Sequence, residues 1–324
     1  MDKEPALVTS FDELKKKNES HYMAAARKRL ALTAVLIFLV IPALIALTVF
    51  LGSKRLYMLL SLLILVMIMA PFFMIFERRK PRAREVVLIA MMSALTVASH
   101  TFFHIAFPVQ IGTAMVIISG ISLGPEAGFL IGAMSRFVCN FYMGQGAWTP
   151  WQMFCWGLLG FLAGLAFNRE LSEDDGISNF KKIITPLLCV IFSELVAYIS
   201  FLLWQGSDET FFGWRVYLFG IIGLILAVAF QRGKLKTDNI TMAVFTFVVT
   251  FVIYGGIMNF AAMCLSMNEP GSLGIGVKAL KALYVSGVGY DFYHALTAAI
   301  CVFVIGTPMV NKLERIKIKY GIYK

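Results

Sequence analysis

Residues 140–152, NFYMGQGAWTPWQ, hold the densest set of groups suited to recognising a small molecule. Asn140, Gln145, Thr149 and Gln152 bring amides and a hydroxyl beside the rings of Trp148 and Trp151. Aromatic walls with a few convergent hydrogen-bonding groups are how proteins bind small organic ligands. Gly144 and Gly146 supply a turn, and Pro150 suits the first turn of the helix that follows. An interfacial aromatic belt would explain the tryptophans, but amides clustered at membrane depth need partners. Arg136 lies about two turns inside the preceding apolar run, where a charge must pair or face water. Two readings stand for it: a structural clamp with Asp291, or contact with an anionic group of a ligand. Glu194, in the middle of another apolar run, poses the same question without an evident partner. Glu126, following Gly124 and Pro125, more simply caps a helix N-terminus.

His100 and His104 are four apart, and Asp291 and His294 are three apart, so each pair shares one helix face. A membrane-embedded metal enzyme using His100, His104 and His294 is one chemistry such residues allow. No H-E-x-x-H run occurs and no carboxylate adjoins the first pair, so neither a metal site nor an enzyme is expected. No cofactor is expected either. The sequence has no G-x-x-x-x-G-K-[ST] phosphate loop, so any ATP-driven step would need other subunits. The five cysteines (Cys139, Cys155, Cys189, Cys264, Cys301) are odd in number and match no zinc or redox spacing.

The elements that must position these residues are apolar helices. Apolar residues make up 59% of the chain, charged residues 15%, and mean hydropathy is +0.78. A soluble domain is about a quarter charged. Ten apolar segments recur, near 30–51, 55–76, 85–104, 109–122, 126–142, 150–168, 180–204, 213–231, 240–266 and 286–307. In hydrocarbon every backbone polar group must be satisfied within its own segment, so these segments are helices. The expected fold is an all-α polytopic membrane protein of about ten spans. Residues 1–29 are polar, carry acidic groups and read as a cytoplasmic tail rather than a cleaved signal. The bland segments of 30–76 form an accessory hairpin, and 180–231 reads as an inserted hairpin.

The net charge of +10 is topological and implies no nucleic-acid partner. With the N-terminus inside, 23 of the 29 Lys and Arg fall in cytoplasmic segments. Only Lys54, Arg55, Arg215, Lys278 and Lys281 fall outside, and Arg136 sits within a span. The positive-inside rule therefore places both termini in the cytoplasm. On this topology His100, His104, Asn140, Trp148, Trp151, Gln152, Tyr254, Asn259, Asp291 and His294 all fall in the outer half of the cell membrane. That convergence from five segments is what an outward-facing pocket would produce. On the first of these segments Ala90, Ala94 and Ala98 line one helix face, where small residues let another helix approach closely. Packing within the chain and docking of a second membrane protein both fit that stripe.

Several stretches together resemble the substrate-binding, or S, component of energy-coupling factor (ECF) transporters. They are REVVLIAMMSALTVA at 84–98, SLGPEAGFLIGAMSRFVCNFYMGQGAWTPWQMFCWGLLGFLAG at 122–164, IYGGIMN at 253–259, YDFYHALTAAI at 290–300 and PMVNKLERIKIKYG at 308–321. The texture is nearest to the subgroup that includes cobalamin-type S components. The resemblance implies a six-helix core within 84–324, made of 85–104, 109–122, 126–142, 150–168, 240–266 and 286–307. It implies capture of a vitamin or related micronutrient, such as a corrinoid, with a coupling membrane subunit and two cytoplasmic ATPases supplying the energy. Ala90 and Ala94 occupy the position of the family's docking face. The pocket would draw on Asn140, Gln145, Trp148, Thr149, Trp151, Gln152, Tyr254, Asn259, Asp291, His294, His104 and Arg136. A stand-alone ion-coupled secondary transporter, with Arg136, Asp291 and Glu194 as coupling charges, is the alternative.

Overall fold

A computed structural model describes residues 63, 69, 83–106, 109–167, 179–204, 206, 210–230, 235–266 and 276–321, without the side chains of 104–106, 179–185 and 277. The tail 1–29 and nearly all of the expected hairpin 30–76 lie outside these residues. Every regular element among them is helical: α1 (Ala83–Ala106), α2 (Ile111–Leu123), α3 (Pro125–Met143), α4 (Thr149–Phe167), α5 (Asn179–Leu203) and α6 (Trp214–Phe230). A helix interrupted by one π-helical turn follows, α7 (Asn239–Val249), Thr250–Tyr254 and α8 (Gly255–Ser266), and α9 (Val277–Tyr320) closes the bundle.

Five of the described helical stretches are long and apolar enough to cross a membrane: Ala83–Phe103, Thr149–Phe167, Pro186–Leu203, Asn239–Ser266 and Lys278–Tyr320. The chain is a multi-pass membrane protein. Two segments expected to span are shorter. α6 has 17 residues and α2 has 13. At 1.5 Å per residue α2 rises about 20 Å, against a hydrocarbon core of about 30 Å. All residues from Gly112 to Leu123 are buried, so α2 is apolar on every side because protein surrounds it.

Small residues permit that burial. A Cβ on Gly120 would come within 2.0 Å of the Gly160 carbonyl oxygen, and one on Gly160 within 2.3 Å of the Gly128 oxygen. The backbones of α2, α3 and α4 therefore meet where no side chain fits, the close packing that membrane helices use in place of a hydrophobic driving force. Ile117, Ile118, Ile131, Leu159, Phe167 and Met242 fill the core around this contact. α5 and α6 pack mainly on each other, with Gly223 of α6 against Val190 of α5.

The last helix differs most from expectation. The apolar run 286–307 predicts a span ending before Pro308, yet α9 covers 44 residues and continues through that proline. Its extension is amphipathic: Val310 and Leu313 join the core, and Lys317 reaches α2. The Lys317 Nζ donates to the Ser122 carbonyl at 2.6 Å and pairs with Glu314 at 2.9 Å. An ammonium there meets the negative end of the α2 dipole. Gly321, at φ 58°, ends α9.

α1 has two unlike faces. Leu88, Ile89, Met92, Thr96 and His100 are buried, whereas Ala90, Ala94 and Ala98 are exposed together with Val87, Met91 and Leu95.

Candidate functional site

The turn between α3 and α4 organises the first group of polar residues. α3 ends at Gly144, whose φ of 99° suits glycine. The Gly146 N–H donates to Thr149 Oγ1 at 3.1 Å, and the Thr149 N–H returns to the Gly146 carbonyl at 3.0 Å. Thr149 Oγ1 donates to Gln145 Oε1 at 2.9 Å and accepts from Asn140 Nδ2 at 3.1 Å. Asn140 Nδ2 also donates to Gln152 Oε1 at 2.9 Å, and the same oxygen accepts from Arg136 Nε at 3.0 Å. Residues four apart on α3 and three apart on α4 thus face each other across one short turn.

Two more helices complete this network. Arg136 Nη1 meets Nε2 of His100, from α1, at 3.2 Å, and the guanidinium lies 5.2 Å from the centre of the Trp156 ring. His100 stands edge-on to the same ring at 4.9 Å. Gly112 of α2 makes room for both rings: a Cβ there would approach Trp156 to 2.5 Å and His100 to 2.8 Å.

A second network starts one residue along α2. Thr113 Oγ1 is 2.9 Å from Nε2 of His294, on α9. The Tyr254 ring packs edge-on to His294 at 4.5 Å, and Tyr290 lies 6.2 Å from it. Asp291 Oδ2 accepts from Asn259 Nδ2 at 2.7 Å and from the Tyr217 hydroxyl. Tyr217 belongs to α6 and is stacked on Tyr284 at 4.4 Å and Phe251 at 5.6 Å. A side chain at Gly255 would meet the Asp291 carboxyl at 2.7 Å, so α8 and α9 touch closely here.

The residues singled out from sequence divide accordingly. Arg136, Asn140, Gln145, Thr149 and Gln152 share the first network; Asn259 and Asp291, and beside them His294 and Tyr254, form the second. No ion pair joins Arg136 to Asp291 among the described residues; each has its own partners. Trp151 is buried against Phe260 and the small cluster of Met69, Phe129, Ala133 and Ala261. Trp148 is 45% exposed and lies over Gly146. The His104 side chain is outside the described residues. Glu194 faces Gly220 of α6.

Trp156, Thr113 and Tyr217 were not singled out from sequence as site residues, and His100 was weighed as a metal ligand and as one of the polar residues converging in the outer half of the membrane. Trp156 was legible, since it follows Gln152 by one helical turn. Among the described residues, Asn140 Oδ1, Trp156 Nε1 and His294 Nδ1 are buried polar atoms of the two networks with no hydrogen-bond partner. Each residue is 1% exposed. Buried polar atoms in folded proteins nearly always have a partner, which can be water or a ligand.

Residues 80–212 match the family model of the ECF-type riboflavin transporter, S component. The matched stretch runs from α1 to α5 and contains the whole first network. It supports an ECF S component, a family of transporter substrate-binding subunits rather than enzymes. The family description names riboflavin and not the cobalamin-type subgroup suggested by texture. α7, α8 and α9, with most of the second network, lie beyond the match. No solved structure matches the chain.

Proposed function

We propose that this protein is the substrate-capture subunit of an energy-coupling factor importer. It takes a vitamin-like compound from the outer side of the cell membrane, with both chain ends in the cytoplasm. Energy comes from two cytoplasmic ATPases acting through a coupling membrane subunit. The observation that carries this reading is the two-faced α1. One face buries His100 against Arg136 and Trp156, while the other exposes alanines four apart. A helix so built touches a ligand network and still offers a smooth surface to a partner helix. Both faces lie inside the stretch that matches the S-component family.

The riboflavin description of that family supports a flat heterocycle ahead of a corrinoid as the captured ring. The edge-on and cation–π contacts of Trp156 fit such a ring, and the open atoms of Asn140 and Trp156 fit its heteroatoms. The inserted pair α5–α6 lends Tyr217 to the second network, so on this reading it is part of the receptor and not a passive addition.

Ala94→Trp tests the docking half of the reading. The variant should retain its small molecule on purification and lose co-purification with the coupling subunit. Assembly that survives the substitution, or loss of the small molecule with assembly intact, would assign the stripe to packing within the chain.

A further inference from the structure

Arg136 is a cation inside an apolar helix, and among the described residues its contacts are an amide, an imidazole, a thioether and an indole, with no carboxylate. Nε donates to Gln152, Nη1 faces His100 and the Met143 sulfur at 3.9 Å, and the guanidinium rests over Trp156. Its Nη2 makes no hydrogen bond to a described residue. Asp291, the partner expected from sequence, has donors of its own, because Tyr217 and Asn259 both donate to its Oδ2. Glu126 stands about three turns away at the start of α3, and Glu194 lies on α5 against α6. Arg136 is partly buried, and a charge held in a membrane helix is costly enough that such residues pair or serve a ligand.

Neighbouring atoms point the same way. Asn140 Oδ1 and Trp156 Nε1 are buried and have no hydrogen-bond partner among the described residues. Asn140 shares the Gln152 oxygen with Arg136, and Trp156 lies under the guanidinium. A molecule completing this set must present an anionic or strongly accepting oxygen to Arg136 and the indole N–H. It must also present a donor to the Asn140 oxygen.

We propose that the captured compound carries a carboxylate or phosphate that docks on Arg136, with an N–H or O–H donor beside it for Asn140. Of the two readings open from sequence, ligand contact rather than an Arg136–Asp291 clamp is the one this geometry favours. The inference rests on the capture reading and adds the charge class of the substrate.

Gln152→Glu is the informative variant. Gln152 Oε1 already accepts from Arg136 and Asn140, so an isosteric carboxylate keeps both bonds while supplying the missing anion from within. The full chain would be placed in phosphatidylcholine nanodiscs and incubated with matched pairs. These are riboflavin 5′-phosphate with riboflavin, nicotinate with nicotinamide, and biotin with biotinamide. Native mass spectrometry then reads what is retained. The wild type should keep an acidic member. Gln152→Glu should unfold at higher temperature when empty and retain that compound at least about tenfold more weakly, a loss of about 1.4 kcal/mol. Equal retention of a neutral member by both proteins would overturn the charge assignment and leave the capture reading standing. Retention of nothing by either would overturn the capture reading and this proposal with it. A parallel sample doped with phosphatidylglycerol separates the other source of phosphate. Wild-type protein that holds that lipid and no acidic vitamin would assign Arg136 to a headgroup and refute the proposal.

Discussion

Gly112→Ala adds a single methyl group where the first network leaves no room for one. The new Cβ would lie 2.5 Å from the outer edge of Trp156 and 2.8 Å from the His100 ring. Carbon atoms pack at about 3.5–4.0 Å, so one ring must retreat by about 1 Å. His100 Nε2 is already 3.2 Å from Arg136 Nη1, and a retreat of that size breaks the contact. Overpacking of this kind costs about 1–3 kcal/mol, and the gain of roughly 1 kcal/mol from replacing glycine within a helix offsets part of it. The variant should therefore fold, with a thermal midpoint lowered by a few degrees at most, while retention of its small molecule falls by about tenfold or more. Size-exclusion chromatography and thermal unfolding in detergent report the first, and native mass spectrometry the second. Retention equal to wild type would refute the argument that His100, Trp156 and Arg136 form one ligand-contacting unit.

Two further substitutions probe the scaffold. Lys317→Met removes the ammonium that donates to the α2 carbonyl of Ser122, a charge-assisted bond worth about 1.5–3 kcal/mol. The thermal midpoint should fall, and an unchanged midpoint would show that the long extension of α9 does not hold α2. Tyr217→Phe withdraws one of the two donors to Asp291, a buried carboxylate, at a cost of about 1–3 kcal/mol. Accessibility of α6 to proteolysis should rise; an α6 as protected as in the wild type would mean that α5 and α6 are held by other contacts.

The sequence carried the helices and most of the first network because both are local. Arg136 and Asn140 are one turn apart on α3, Thr149 and Gln152 share the first turn of α4, and a glycine turn of a few residues must bring the two together. Glycine and proline at 124, 125 and 144 marked the ends of α3 within a residue. What stayed hidden is non-local. Nothing in the order of residues joins Tyr217 to Asp291, since they meet through tertiary packing, with Tyr217 stacked on Tyr284 of α9 and on Phe251 of the π-helical turn. The length of α9 was hidden for a related reason. Hydropathy stops at 307, but the helix is carried on by Val310, Leu313 and Lys317, whose partners are distant in sequence. α2 read as a span because composition does not tell a helix buried in protein from one buried in lipid.

Uptake measured in proteoliposomes, with the chain alone and with the chain joined to a coupling subunit and two ATPases, tests the capture reading most directly. The retained compound, identified by mass spectrometry and then supplied in labelled form, should bind to the chain alone without entering the vesicle lumen. Accumulation should begin only when the partners and ATP are both present. Accumulation by the chain alone, driven by an ion gradient and indifferent to ATP, would contradict the account and make this protein a secondary transporter.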